Sequence, residues 1–325
     1  MNTQVKSSGR FILVGSLLCL LLQVAAAQQG TPRSGGYNIH VFPTVNNAPV
    51  PPPSALIYHT GAPVMQNGVT TYAIFWVPPT LQTGGATSMS AHYQSVQKNM
   101  LADYMGHGLD NNNTQYYQII GTRKTYIQNK GTFGGAYVDT SAYPASGCSD
   151  SATPGNCITD AQIRSEIAKV MGINGWTGGL NKMFLLFTSS GEGSCFNSSS
   201  TSCAYTQYCA YHSYIGPTTS PVIYSNEPFG NTVNCQLPGV PSPNSDPLAD
   251  AAATAASHEL TEAITDPLLN AWYDASGSEI GDLCAYSYGT NTWDAGKANE
   301  MWNGRFYELQ MEYNNHKGAC SQVGP

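Results

Sequence analysis

The chain has 325 residues, only 10% of them charged, and its 20 acidic residues against 13 Lys and Arg give a formal net charge of −7. So acidic and charge-poor a chain lacks the basic patches that nucleic acid and anionic membrane surfaces require, which excludes both as partners. Its length is enough to bury a sizeable single core.

Residues 1–27 read as an export signal: Lys6 and Arg10 lead into an apolar run from Phe11 to Val24 that closes on Ala25, Ala26 and Ala27. That run is too short for a membrane span, and no later stretch supplies one. Leu18 before Cys19 argues against lipoprotein processing. Cleavage after Ala27 leaves Cys148, Cys157, Cys195, Cys203, Cys209, Cys235, Cys284 and Cys320, an even set that implies disulfides in an exported chain. Zinc-thiolate binding competes with this reading, but no CxxC pair supports it. Cys148 with Cys157 and Cys203 with Cys209 would close short loops, and Cys284 with Cys320 would tie down the tail; the connectivity stays open.

Residues 28–54, rich in Gly, Pro, Ser and Asn, read as an extended or disordered leader, and residues 55–325 as one domain without internal repeats. Thr71 to Val77, β-branched and aromatic, predicts a strand closed by Pro78 and Pro79. Ser88 to Met105 has helical spacing at Tyr93, Val96, Met100, Leu101 and Tyr104. Gln115 to Thr122 and Thr125 to Gln128 predict strands, and Asp160 to Val170 a helix with Ile163, Ile167 and Val170 on one stripe. Met183 to Phe187 is a continuous apolar run, as in a strand covered on both faces. Pro221 to Ser225 predicts an edge strand, because proline flanks it. The glycine-rich stretch Gly131 to Val138 matches no phosphate-binding pattern, and no GxSxG elbow supports serine catalysis.

The chemistry concentrates between Asp246 and Cys284, which carries eight acids and no Lys or Arg up to Asp282. Asp246 and Pro247 predict a helix start, an alanine-rich run follows, and Asp266 with Pro267 predicts its end. The helix bears His258, Glu259 and Glu262 as HExxE, which differs from the metalloprotease signature HExxH in its last residue. His258 and Glu262 stand one turn apart on one face, so both can reach one ion. A carboxylate can replace an imidazole on zinc, and Glu279 or Asp282 is placed to supply a further ligand. The ordinary alternative, an exposed helix face carrying one His and two Glu by chance, is weakened by the concentration of unpaired acids.

Two mechanisms follow. In a zinc-dependent hydrolase, most simply a peptidase, His258 and Glu262 would bind zinc, Asp282 or Glu279 would complete the site, and Glu259 would take a proton from the attacking water. Two carboxylate ligands neutralise the ion, which implies a slow enzyme or none. In a noncatalytic protein, the same acids, with Asp266, would hold a structural cation such as calcium, which prefers oxygen ligands. Trp272, Tyr273, Tyr286, Tyr288, Trp293 and Trp302 would then either stack on sugar rings or pack a core. A third reading, an ordinary buried helix, conflicts with the cost of burying three ionisable groups without a counter-charge.

The alternation of strands and helices gives an α/β (α+β) class and resembles the zincin metallopeptidases, with a twisted mixed sheet packed on helices and a disulfide-stapled C-terminal part. YHTGAPVM near residue 58, CAYH at Cys209 to His212, SHELTEAITDPLLNAWYD at Ser257 to Asp274 and EIGDLCAYSYGT at Glu279 to Thr290 together resemble the phosphate-induced protein 1, or EXORDIUM-like, family. The Tyr- and Ser-rich connections suggest a nonplant, bacterial member. The resemblance implies a secreted protein whose partner is an extracellular peptide or cell-wall polysaccharide, and it matches His59, His212, His258, Glu259, Glu262, Asp282 and Cys284. His212 reads either as a ligand or proton donor or as a hydrogen-bonded histidine beside a disulfide. His59 reads as structural, and His40, His92, His107 and His316 receive no functional reading.

Overall fold

The computed structural model describes Met1 and residues 33–34, 37–48 and 55–325. Apart from Met1, the expected export signal lies outside the described residues. A seven-stranded sheet is built from β1 (Arg33–Ser34), β2 (Tyr37–Pro43), β3 (Val69–Trp76), β4 (Gly131–Asp139), β5 (Lys182–Thr188), β6 (Tyr208–Ile215) and β7 (Val222–Glu227). Its spatial order is β1-β2-β6-β7-β5-β3-β4. Strands β7, β5, β3 and β4 are parallel, whereas β6 is antiparallel to both of its neighbours, so the sheet is mixed. The fold is therefore α+β, as its composition of elements predicts.

Helices cover both faces. Helix α1 (Ala91–Asp103) and helix α3 (Pro247–Thr265) share a core with Phe75, Leu185, Phe187 and Ile223. Helix α2 (Asp160–Asn174) packs Ile163, Ile167 and Val170 against Ile74, Phe184 and Leu186 on the other face. Successive strand residues point to opposite faces, so the interior of β5 is apolar at consecutive positions where both faces are covered, and Met183 to Phe187 are all buried.

Capping sets the helix limits. The Ser90 hydroxyl accepts from the Tyr93 amide at 2.9 Å and starts α1. Thr159 and Gln162 form a capping box at α2, which ends on Gly175 at φ 65°, a left-handed position where glycine carries no steric cost. Asp246 caps α3 by accepting from the Ala249 amide at 3.1 Å, with Pro247 in the first turn. The carboxylate of Asp266 stops α3 by accepting the Asn270 and Ala271 amides at 2.5 and 2.6 Å.

Every residue of α3 from Ala249 to Thr265 is buried. Its alanines let the backbone approach the sheet and α1 closely, and polar contacts fix the packing. The Gln97 amide donates to the Ala249 carbonyl at 2.8 Å, Tyr104 hydrogen-bonds Thr261, and the Thr254 hydroxyl donates to the Glu308 carbonyl at 2.8 Å. No helix among the described residues is long and apolar enough to cross a membrane.

Three expectations are revised. The strand expected at the sheet edge, Pro221 to Ser225, is the interior strand β7, paired with β6 and β5. Pro221 precedes its first residue, so the ladder loses no donor and proline carries no penalty there. Cys203 does not pair with Cys209: the bridges are Cys148–Cys157, Cys195–Cys203, Cys209–Cys235 and Cys284–Cys320. Cys209 lies within β6, while Cys203 sits across an isolated bridge from Cys195. Finally, Tyr37–Pro43 falls within the expected leader yet forms a strand of the main sheet, and Ile39 and Phe42 are fully buried.

Candidate metal centre

The polar side chains of α3 meet three other segments. His258 and Glu262, one turn apart, bring Nε2 and Oε1 to 3.0 Å, as the helical period requires. Glu259 points about 100° further round, toward the sheet. There its Oε1 accepts the Phe42 amide of β2 at 3.0 Å and its Oε2 lies 2.9 Å from His212 Nδ1 of β6. His40 and His212 are directly opposed in the β2–β6 register, so they lie on one face. The loop after α3 closes the cluster with Glu279 and Asp282.

His40 is the hub of that loop. Its Nε2 lies 2.6 Å from Asp282 Oδ2 and 3.7 Å from Glu262 Oε2, and its Nδ1 lies 3.2 Å from Glu279 Oε1. His212 Nδ1 approaches Glu262 Oε2 to 3.6 Å, and its Nε2 approaches Glu279 Oε2 to 3.9 Å. His258 Nε2 stands 3.8 Å from Asp282 Oδ1. These spacings suit one ion, since tetrahedral zinc with ligands at about 2.1 Å sets neighbouring ligand atoms about 3.4 Å apart. Three overlapping sets, His40–Glu262–Glu279, His212–Glu259–Glu262 and His258–Glu262–Asp282, each gather their donor atoms within 4.8 Å, and Glu262 belongs to all three. The bridged cysteines Cys148, Cys157 and Cys195 also cluster, but their sulfurs are held in disulfides.

The local backbone is shaped to admit this packing. At Gly281 an added Cβ would come within 2.6 Å of His258 Nδ1 and 3.0 Å of Glu262 Oε1. Only glycine lets the loop lie so close to both side chains. The amide of Asp282 donates to Glu262 Oε1 at 3.1 Å, and the Gln310 amide lies 3.0 Å from both His258 Nδ1 and the Gly281 carbonyl, which it donates to.

His212, His258, Glu259 and Glu262 have no exposed surface, and His40, Glu279 and Asp282 are buried. No lysine or arginine ion pair reaches the cluster among the described residues. Burial pushes Glu259, Glu262 and Glu279 well above the ordinary carboxylate range, and the neighbouring acids add to the shift. Asp282 departs from this pattern: burial would raise it, but His40 holds it below its usual value. Burial would likewise depress His40, but Asp282 and Glu262 outweigh it and lift the imidazole to about 9. His258 is lowered to about 4 and His212 well below its usual value, chiefly by burial, so both are neutral at pH 7. The neutral His212 ring faces Glu259 through Nδ1 and turns its Nε2 toward Glu279.

Donor atoms without a hydrogen-bond partner converge here: His40 Nδ1, His212 Nε2, His258 Nε2, Glu262 Oε2 and Glu279 Oε2. Orphaned buried polar atoms are rare and costly, and a divalent cation would satisfy several at once.

The structure thus brings together all five expected site residues, His258, Glu259, Glu262, Glu279 and Asp282. His212 joins them. His40 joins as well, although nothing adjacent to it in sequence signals chemistry; its register opposite His212 emerges only when β2 enters the sheet. Asp266 is engaged at the turn after α3, and its second oxygen is unpartnered. His59 lies elsewhere, stacked on Tyr273 at 3.5 Å. Of the aromatic residues weighed as a sugar platform, Trp272, Tyr286 and Trp302 are buried core residues, and Trp293 is 43% exposed.

A 94-residue segment of the chain is 37% identical to Protein EXORDIUM-like 3 of Arabidopsis thaliana, covering 27% of this chain and 24% of that protein. No family model matches, and no solved structure matches. The chain thus matches about a quarter of the length of its curated relative, and within that limit the likeness to an EXORDIUM-like protein read from the motifs is found.

Proposed function

We propose that the chain is a secreted EXORDIUM-like protein that encloses one zinc ion between the HExxE helix, the β2–β6 pair and the loop carrying Glu279 and Asp282. The observation that carries this reading is the convergence of five orphaned donor atoms in a buried cluster without Lys or Arg. His258, Glu262 and Asp282 would be ligands, with Glu279, His40 and His212 completing or flanking the set. Three imidazole nitrogens favour zinc over calcium, which takes oxygen ligands. Four disulfides and the likeness to a plant EXORDIUM-like protein support the extracellular setting.

The noncatalytic form of this reading is favoured for the conformation described. Glu259, the base a hydrolase would need, is fully buried, and both its oxygens are engaged, one by the Phe42 amide and one by His212. Here it orients His212, as carboxylates commonly do behind metal-binding histidines. The zincin likeness, an HExxE helix beneath a mixed sheet, keeps hydrolysis as the second reading; bound zinc would supply an acidified water and Lewis acidity to it. Titrating chelator-treated protein with zinc or calcium, with thermal stability as readout, tests the reading. Stabilisation at micromolar zinc and none at equal calcium is expected; the reverse order, or no response to either ion, refutes it.

A further inference from the structure

We propose that the edge of β6 away from β7 is a binding site for an extended peptide, and that β2 fills it in cis. The inference rests on the metal-centre reading above, because β2 delivers its contacts into that cluster.

The pairing is that of strand addition to a sheet edge, in which main-chain bonds give affinity and alternate side chains give specificity. Pro43, Phe42, Val41, His40 and Ile39 stand opposite Tyr208, Ala210, Tyr211, His212 and Ser213. Two side chains of β2 fill shaped positions. The Phe42 ring lies between His258, at a centroid distance of 4.3 Å, and Tyr286, at 4.9 Å. His40 enters a pocket walled by the carboxylates of Glu262, Glu279 and Asp282. The Phe42 amide occupies Glu259 Oε1, and the Pro43 carbonyl accepts from the Tyr286 hydroxyl at 2.6 Å. An occupant of this edge is therefore an extended peptide with an imidazole or basic side chain two residues before an aromatic one.

The strand is also separable from the rest of the sheet. Among the described residues, β1, of two residues, is all that lies beyond β2, so the departure of β2 leaves β6, β7, β5, β3 and β4 paired. It joins the folded body through Pro49, Val50, Pro51, Pro52, Pro53 and Ser54, a proline-rich run. Departure would free Glu259 Oε1 and open the cluster at its sheet side. The site is thus arranged to exchange an internal strand for an external peptide of the same pattern.

The test uses the full chain with a specific protease site replacing residues 50–54, cut after folding. A fluorescent peptide of residues 37–48 is titrated into intact and cut protein, with zinc content of each measured separately. Saturable binding to the cut protein, at least tenfold weaker to the intact one and at least tenfold weaker for peptides carrying His40→Ala or Phe42→Ala, is expected. Three results overturn the proposal: a cut protein that stays folded and refuses the peptide, one that never exchanges its own strand, or one whose near-ultraviolet circular dichroism collapses when the strand leaves. Absence of zinc from the intact protein, by contrast, refutes the metal-centre reading and leaves the peptide titration to decide the strand.

Discussion

Cys284 and Cys320 enclose a 36-residue separation, whereas Cys148 and Cys157 enclose 9, and this difference sets a quantitative expectation. In the chain-entropy account, removing a bridge restores about 2.1 cal/mol/K plus 1.5R ln n to the unfolded chain. The longer loop then contributes about 3.8 kcal/mol at 25 °C and the shorter about 2.6 kcal/mol. With an unfolding entropy near 2.1 cal/mol/K per residue, the double variant Cys284→Ser/Cys320→Ser should lower Tm by about 6 °C, and Cys148→Ser/Cys157→Ser by about 4 °C. The two should also differ at the metal centre. Cys284 ends the short helical turn Asp282–Cys284, so loosening it displaces Asp282, whereas Cys148 is bonded to Cys157 and belongs to none of the segments that carry the site residues. Calorimetry on both variants, paired with zinc titration, is the assay. A zinc affinity reduced at least tenfold in the first variant and unchanged in the second is expected. Equal zinc affinity in both, or a larger Tm loss from the shorter loop, would refute the reasoning.

Further expectations follow from single contacts. Gly281→Ala should weaken zinc binding by about ten- to a hundredfold, as its methyl group would press on His258 and Glu262, while Gly172→Ala, in α2 with open space around it, should raise stability by about 0.5–1 kcal/mol; calorimetry with zinc titration separates the two. Leu260→Ala, at a fully buried position of α3, should cost about 2–5 kcal/mol in denaturant unfolding, and a loss below 1 kcal/mol would contradict the packing described. Asp103 gives a pH-dependent expectation: burial would raise its carboxyl, but hydrogen bonds from Arg305, Asn303 and Tyr307 hold it below its usual value. A carboxylate lowered in the fold stabilises above its unfolded value, about 3.9, and loses that contribution as pH falls through the folded one. Asp103→Asn should therefore cost about 1–2 kcal/mol from pH 5 to 8, the exposure of Arg305 keeping it modest, and the gap should close below about pH 4; a gap that widens on acidification contradicts the assignment.

Local signals made much of the architecture legible. The caps Asp246 and Pro247 and the stop at Asp266 placed α3 to within a residue of its observed limits, because capping and proline act through nearest neighbours. The unbroken apolar run of β5 likewise encodes a covered strand without reference to any partner. Strand order was not encoded locally: Pro221 at the entry of β7 carries the same signal in an interior strand as at an edge. Nor was the partner of Cys209, which is set by where β6 and the loop to Cys235 meet. At the site, the HExxE spacing placed His258 and Glu262 on one helix face, and the paired acids Glu279 and Asp282 pointed to the loop that meets it. His40 was illegible because its chemistry arises from register, 218 residues before His258 in the chain. Composition suggested a leader over that stretch, and the pairing of Ile39–Pro43 with β6 overrides the propensity.

The central claim is that the buried cluster holds zinc, and elemental analysis of protein purified without chelator tests it most directly, alongside His258→Ala and Glu259→Gln variants. Zinc near one per chain in the parent, lost in His258→Ala and retained at reduced affinity in Glu259→Gln, is the predicted result. A parent protein that carries no transition metal even after zinc is offered would contradict the account.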